Sequence, residues 1–245
     1  MRTVCGLARR AQRILTGRPA AEPATAVRPL TGGGRPLLTD VPGEQRHAGV
    51  RLDQVDPTTC GSAVLVALAA WADSAEAERL DGAGAAGAGI AAGATAGADF
   101  GARFDARQRR VHRETNRIWP RALGTTPWGM VRWLRDNLPG AGPYRVRLVD
   151  DVSAADLDDA IAAVGAALAA GRPVPLLVGP AVPRHYVLAL GPVAGAGGDG
   201  GDRAGWRVYE PTSGSVRVVD RDAVRERRLA PVLGFDRLHA VLLPG

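Results

Sequence analysis

The stretch from Gln54 to Ala63 and the apolar segment after it constrain the fold more than any other feature of this chain. Pro57 and the pair Thr58 and Thr59 are typical of a helix start, since a hydroxyl can cap free N–H groups and proline fits the first turn. Cys60 therefore begins a helix. The sequence soon continues V-L-V-A-L-A-A-W, which favours a helix that other elements cover on most sides.

A thiol in the first turn of such a helix is placed to act as a nucleophile. Free N–H donors and the positive end of the helix dipole both favour its thiolate form. Gln54 lies six positions before Cys60, and its side-chain amide and the Cys60 backbone N–H can together stabilise an oxyanion. Taken alone, the stretch leaves open the alternative that the cysteine only fills a core.

Length and composition indicate a globular protein with a real core, because the chain has 245 residues, of which 46% are hydrophobic and 23% charged. Its net charge of +6 suits an acidic partner, but the arginines are dispersed and no nucleic-acid motif accompanies them, so no nucleic acid is expected. Cys5 and Cys60 stand in unrelated contexts, which predicts no disulfide and a cytoplasmic location. No run approaches a membrane span, and neither a metal nor another cofactor is expected.

Residues 1–49 are expected to form a basic amphipathic helix followed by a Pro/Gly-rich linker. Within residues 2–16 the apolar side chains share one face and arginines occupy the other; the apolar ones are Val4, Leu7, Ala8, Ala11, Ile14 and Leu15. We favour packing of this face on the protein's own domain, with contact to an anionic membrane surface as the alternative. From Gly17 to about Gly49, prolines and a triple glycine predict an extended segment.

The remainder, residues 50–245, is expected to form one domain that begins with helices. The Cys60 helix is predicted to continue as far as Leu80. After it, a Gly/Ala-rich and then arginine-rich stretch at about 82–117 is interpreted as an insertion. Further helices are predicted at 126–137 and 153–171, from their capping residues and apolar periodicity.

Short apolar runs separated by turns replace the helices in the last third of the chain. They lie at 173–178, 185–191, 206–210, 215–219 and 237–243. Their mostly tight links predict antiparallel pairing. Helices first and strands second indicate an α+β protein with a helical half and a sheet half.

His185 begins one of these strands and Glu210 ends the next. If the two strands pair as a hairpin, Glu210 falls close to His185. A cysteine, a histidine and a carboxylate that orients the imidazole are what nucleophilic acyl transfer requires. Singly, each residue has an ordinary alternative, namely a core histidine for His185, a turn carboxylate for Glu210 and a surface amide for Gln54.

Together these residues resemble the papain-like cysteine peptidase superfamily, nearest to the bacterial bacteriocin-processing peptidases that cleave double-glycine leaders. The motifs that carry the resemblance are Gln54, Cys60-Gly61-Ser62-Ala63, His185-Tyr186 and Tyr209-Glu210-Pro211. It covers residues 50–245 in element order, outside the insertion. It implies a papain-like fold in which a helical half with a buried central helix packs on an antiparallel β-sheet half, with the active-site cleft between them.

By that resemblance Cys60 is the nucleophile, His185 the general base and acid, Glu210 the orienting residue and Gln54 the oxyanion donor. Two residues depart from the pattern, because Glu210 stands where the branch usually has aspartate and Arg184 where a small residue is common. The expected function is a cysteine peptidase or amidase that cleaves a peptide or amide bond of a peptide or protein substrate through a thioester on Cys60. The alternatives are a non-catalytic peptide-binding module, a thiol acyltransferase of the same fold, and an arginine-rich adaptor.

Overall fold

The computed structural model describes residues 2–16, 36–39, 41–82, 94–117, 124–193 and 205–245. In chain order the elements are α1 (Val4–Thr16), β1 (Gly43–Glu44), β2 (Arg46–His47), β3 (Val50–Arg51), α2 (Cys60–Ala72), α3 (Ser74–Asp81), α4 (Ala94–Thr115), α5 (Pro127–Asn137), β4 (Tyr144–Leu148), α6 (Ala154–Ala169), β5 (Val174–Gly179), β6 (His185–Val193), β7 (Gly205–Glu210), β8 (Ser215–Asp220), α7 (Arg221–Arg225), α8 (Ala230–Leu233) and β9 (Arg237–Pro244). The predicted mixture of helices with an antiparallel sheet is confirmed.

The chain forms two compact units. Unit 1 consists of Met1–Pro29, Pro143–Glu210 and Arg217–Gly245, and unit 2 of Leu30–Gly142 and Pro211–Val216. Unit 2 holds α2 to α5, and unit 1 holds α1, α6 and most of the strands. Helix α1 belongs to unit 1, whereas β1, β2 and β3 belong to unit 2; the expected boundary at residue 49 stays a prediction.

Unit 1 is built on a sheet with the strand order β8-β7-β6-β5-β9-β4. The β5–β6, β6–β7, β5–β9 and β4–β9 pairs are antiparallel, and of these only the β5–β6 pair is joined by a tight link. Helix α6 packs on this sheet, and its buried Leu157, Ile161, Val164 and Leu168 join the apolar residues of β5, β6, β7 and β9 in one core. Side chains spaced three and four apart line one face of α6, which explains why this segment folds as a helix against the sheet.

Ser153 and Asp156 at the start of α6 have the spacing of a capping box but form only half of one. Ser153 Oγ accepts a hydrogen bond from the Asp156 N–H at 3.4 Å. The Asp156 carboxylate does not return to Ser153 as a capping box requires. One of its oxygens accepts from the Asp150 N–H at 2.8 Å, and the other lies against the guanidinium groups of Arg9 and Arg147.

Helix α1 confirms the predicted helix but not the way it was expected to pack. Its buried residues are Gly6 and Arg9, whereas all six apolar residues of the expected packing face are exposed. Arg9 Nε lies 3.3 Å from Asp156 Oδ1, and Thr3 donates to Asp151 through both its N–H and its hydroxyl. The polar side faces the protein because buried carboxylates there pair with the arginine and the threonine, an attraction that apolar periodicity does not reveal.

Helix α2 belongs to unit 2 and is buried from Cys60 to Ala70, as its apolar sequence predicted. The prediction that this helix continues to Leu80 is wrong. Asp73 interrupts it in an extended conformation and accepts a hydrogen bond from the Ala75 N–H, so that it caps α3. An aspartate that can cap a following helix competes with helix continuation.

Part of the stretch at 82–117 that was expected to be an insertion contributes buried residues to unit 2. Residues 83–93 lie outside the described residues, but α4 packs on α2 and buries Phe100, Phe104, Gln108 and Val111. Its arginines do not all form a solvated face, since Arg107 Nε lies 2.6 Å from Glu76 Oε1 on α3. The residues that α4 buries recur every three or four positions, so this helix is a component of unit 2.

The segment before residue 50, which its prolines and glycines predicted to be an extended linker, contains the short strands β1 and β2. Strands β2 and β3 pair antiparallel around Ala48 and Gly49, which both have positive φ, the conformation of a tight two-residue hairpin turn. Strand β1 pairs antiparallel with Ser215 and Val216 at the start of β8. None of the helices in the described part of the chain is both long and apolar enough to cross a bilayer.

Candidate active site

His185 and Glu210 meet in unit 1 on the hairpin formed by β6 and β7. The His185 Nε2 and Glu210 Oε1 atoms are 2.8 Å apart, and each residue is only 6% exposed. A carboxylate accepts only, so the imidazole donates its Nε2–H, and in the neutral ring Nδ1 is then the basic nitrogen. The pairing expected from strand order is therefore present.

The surroundings of His185 combine an aromatic ring with a small cavity. The rings of His185 and Phe235 have centroids 5.8 Å apart and are tilted by 40°. Phe235 also lines a cavity of about 260 Å³, together with Pro180, Ala181, Gly234, Asp236 and Arg237. Arg184, the neighbour of His185, is exposed, so solvent screens its charge.

Cys60 is the first residue of α2 in unit 2, as predicted, and is 4% exposed. The expected threonine cap is wrong, because Thr59 makes no side-chain cap. Its hydroxyl instead closes a turn with Asp56, accepting from the Asp56 N–H at 3.1 Å and donating to the Asp56 carbonyl at 2.9 Å. No side chain of this turn therefore competes for the first N–H groups of the helix that carries Cys60.

Gln54 lies in the same loop of unit 2, where three hydrogen bonds fix it. Its backbone N–H donates to the Pro211 carbonyl at 2.8 Å, its Nε2 donates to the Asp56 carbonyl at 2.9 Å, and its Oε1 accepts from the Thr212 hydroxyl at 3.3 Å. Because an amide nitrogen carries two hydrogens, one donor remains beyond the bond to Asp56. The loop thus holds the amide in one orientation, as an oxyanion donor requires.

Gln108 on α4 is a residue that the sequence analysis missed. It is fully buried, and its amide binds the backbone on both sides of Gln54. Its Oε1 accepts from the Val55 N–H at 3.2 Å and its Nε2 donates to the Asp53 carbonyl at 2.9 Å. A signal was present, because this uncharged polar residue stands four positions after Phe104 and three before Val111 on the buried stripe of α4.

The structure thus joins His185 with Glu210 in unit 1, and it places Cys60 and Gln54 in one loop-and-helix segment of unit 2. A triad that combines Cys60 with His185 stays a prediction. A second histidine–carboxylate pair occurs in unit 2, where His47 Nε2 lies 2.6 Å from Asp81 Oδ1. Among the described residues, no cluster of three or more His, Cys, Asp or Glu side chains could hold a metal ion.

The other thiol, Cys5 on α1, differs from an ordinary free cysteine. Burial, together with the nearby negative charge of Asp151, raises the pKa of the Cys5 thiol to about 11. An unbonded thiolate is disfavoured in such surroundings. At neutral pH Cys5 is therefore a poor nucleophile, which makes it separable from Cys60 in a reactivity experiment.

Comparison with known proteins adds no relative, because no protein-family model, curated protein or solved structure matches this chain.

Proposed function

We propose that this protein is a thiol hydrolase with a papain-like architecture, which cleaves a peptide or amide bond through an acyl-enzyme on Cys60. The observation that carries the proposal is the buried His185–Glu210 pair, with 2.8 Å between Nε2 and Oε1. A histidine fixed in one tautomer by a carboxylate is the base of nucleophilic acyl transfer. The second support is the position of Cys60 at the start of a buried helix.

In the proposed reaction the Cys60 thiol gives its proton to His185 Nδ1, and Sγ attacks the carbonyl carbon of the substrate. The tetrahedral intermediate places a negative charge on the carbonyl oxygen, which the Cys60 N–H and the Gln54 amide stabilise. The C–N bond then breaks, and the leaving amine takes the proton from the imidazolium. Water attacks the thioester with His185 again as base, which releases a carboxylic acid and restores the thiol. If an amine attacks in place of water, the same steps transfer the acyl group.

The burial of Cys60, which is 4% exposed, favours a second candidate, a papain-like module that binds a peptide without cleaving it. A buried thiol that only packs in a core is inert. The two candidates differ in whether His185 and Glu210 change the chemistry of Cys60. Reactivity of that single thiol therefore separates them.

The proposal is tested by alkylation of Cys60 with iodoacetamide, followed by mass spectrometry at pH 6 to 8. His185→Ala is expected to slow the reaction by about 10²-fold or more, because the base that takes the thiol proton is lost. His47→Ala is the matched control, since it removes a histidine that is likewise paired with a carboxylate but has no role in the mechanism. Equal alkylation rates of Cys60 in the wild type and in His185→Ala would contradict the proposed hydrolase and support the peptide-binding module.

A second experiment examines the requirement that Cys60 and His185 act on one carbonyl carbon. A dihaloacetone alkylates a thiol and then an imidazole that lies within the reach of its short carbon chain. We expect a Cys60–His185 cross-link in the wild type and only single alkylation in His185→Ala. Cross-linking to another residue, or none at all, contradicts the proposed triad. Turnover is then sought with a library of peptide esters and amides.

A further inference from the structure

We propose that α1 attaches this protein to an anionic membrane surface through an exposed apolar stripe. The α1 stripe is defined as Val4, Leu7, Ala8, Ala11, Ile14 and Leu15. These positions recur at intervals of three, four and seven, which places them within a narrow sector of the helix. This inference does not rest on the proposed function.

The exposure of the α1 stripe is unusual because it is complete. Its four large members, Val4, Leu7, Ile14 and Leu15, are 56%, 57%, 72% and 84% exposed, and the two alanines are exposed as well. Single exposed apolar residues are ordinary on a protein surface, but a contiguous apolar patch marks a site of interaction. In a surface helix that only completes a fold, this sector would face the core.

The opposite side of α1 fixes the helix so that the stripe faces outward. Arg9 is buried beside Asp156, and Thr3 bonds Asp151 through its N–H and its hydroxyl. The N–H of Val4 donates to the Ala181 carbonyl at 3.1 Å. These contacts all lie within unit 1, so the orientation of the stripe is a property of that unit.

Charge favours an anionic bilayer as the occupant of the α1 stripe. Helix α1 has no acidic residue, and the exposed Arg10 lies beside its apolar sector, four positions before Ile14. The loop whose Ala181 carbonyl bonds the Val4 N–H also carries an exposed valine and an exposed arginine, Val182 and Arg184. Apolar side chains combined with neighbouring arginines are the features by which a helix lies in the headgroup region of anionic lipid.

The size of the α1 stripe argues against a second copy of the chain as the occupant. A helix of 13 residues is about 20 Å long, so a stripe along it covers only a few hundred Å². Stable protein interfaces bury roughly 800 Å² on each partner. A flat bilayer needs no complementary shape, and it accepts a stripe of this size.

Co-sedimentation with lipid vesicles tests the proposal. The full chain is expected to bind vesicles of mixed phosphatidylcholine and phosphatidylglycerol, to bind pure phosphatidylcholine much less, and to be released by salt. The variant Leu7→Gln, Ile14→Gln, Leu15→Gln is expected to lose on the order of tenfold or more of the binding, since it removes three apolar side chains from the stripe. Arg10→Gln is expected to reduce binding to the anionic vesicles by roughly fivefold.

Val41→Gln is the matched control, because Val41 is 67% exposed but lies outside α1, and it should bind as the wild type does. The three side chains substituted in the Leu7→Gln, Ile14→Gln, Leu15→Gln variant face solvent and glutamine suits a helix, so this triple variant should fold. If its melting temperature falls below that of the wild type, Ile14→Gln alone is compared with the wild type instead. Absence of wild-type binding, or equal binding of the variant, overturns the proposal. A dimer by light scattering that the same variant abolishes assigns the stripe to a second copy and also overturns it.

Discussion

Glu210 reaches His185 along a diagonal of the β6–β7 ladder and not straight across it. Tyr209 faces Leu188 in the register of the two strands, so one step further Glu210 falls beside Val187, two positions from His185. Diagonal neighbours on a sheet are roughly 7–8 Å apart between backbones, within the reach of long side chains only. Glu210 thus has the length that this register requires.

The first prediction concerns that length. Glu210→Asp keeps the charge but shortens the side chain, so we expect the bond to His185 to be lost and the Cys60-dependent hydrolysis of a peptide ester to fall by about 10- to 100-fold. Glu210→Gln keeps the length and removes the charge, and serves as the comparison. If Glu210→Asp is as active as the wild type while Glu210→Gln is not, charge and not reach is what matters at this position.

The second prediction concerns Gln108, which holds the backbone on both sides of Gln54. In Gln108→Leu both hydrogen bonds are lost, so the amide of Gln54 should lose its fixed position. We expect acylation of Cys60 by a p-nitrophenyl ester to fall by about 10²-fold, because that step needs the oxyanion donors. Alkylation by iodoacetamide forms no oxyanion and should change little.

A purely structural role for Gln108 would lower acylation and alkylation of Cys60 together. Gln108→Glu retains the acceptor for Val55 and removes the donor to Asp53, so it should lie between the wild type and Gln108→Leu. Unchanged acylation in both variants would show that Gln108 does not position the site. Failure of the wild type to acylate at all would instead count against the proposed hydrolase.

The third prediction concerns Cys5. Since burial and Asp151 raise the pKa of the Cys5 thiol to about 11, its alkylation should be slow at pH 8 and should keep accelerating up to about pH 11. Burial is the larger cause, so unfolding in urea should return Cys5 to the behaviour of an ordinary thiol with a pKa of about 8.5. The rate of modification against pH, followed by mass spectrometry, checks both statements.

The fourth prediction concerns the pH dependence of stability. Burial lowers the pKa of His239, although the Pro180 carbonyl and Asp151 oppose the shift. Between the folded pKa and the unfolded value of about 6.5, the unfolded chain binds more protons, so the free energy of unfolding rises with pH there. Stability from this residue is complete above about pH 6.5 and is lost as the pH falls below it.

The melting temperature measured in buffers below and above pH 6.5 checks this statement about His239. His239→Gln should flatten the dependence in that interval, because glutamine does not titrate. An unchanged slope in His239→Gln would assign the acid sensitivity to other groups.

The fifth prediction concerns Asp156, which is buried between Arg9 and Arg147. Asp156→Asn leaves two guanidinium groups without their compensating charge, and we expect the free energy of unfolding in urea to fall by about 3–5 kcal/mol. Asp158→Asn is the control on the same helix, because its ion pair with Arg225 is exposed; it should cost less than about 1 kcal/mol. If Asp156→Asn and Asp158→Asn lower the free energy of unfolding by similar amounts, burial is not what makes the Asp156 ion pairs important for stability.

Much of the local structure was predictable because it depends on neighbouring residues. Thr126 caps α5 and accepts from the Gly129 N–H, and the strands from β5 to β9 agree with their short apolar runs within one or two residues. Other features depend on contacts far apart in sequence. The carboxylates that make the polar side of α1 face the protein stand about 150 positions after the helix. The role of Gln108 likewise depends on a loop that lies more than 50 residues before it.

By itself the sequence determined the helix that begins at Cys60, the antiparallel strands, and the pairing of His185 with Glu210, because apolar periodicity and the order of neighbouring strands are local features of the chain. Only the tertiary structure decided which side of α1 faces the protein, that α4 belongs to the core of its unit, and that Gln108 holds the loop of Gln54. The physical reason is that buried polar groups form hydrogen bonds and ion pairs with residues that are close in the fold but distant in the sequence. Their hydrogen-bonding and charge requirements outweigh the local pattern wherever water is excluded.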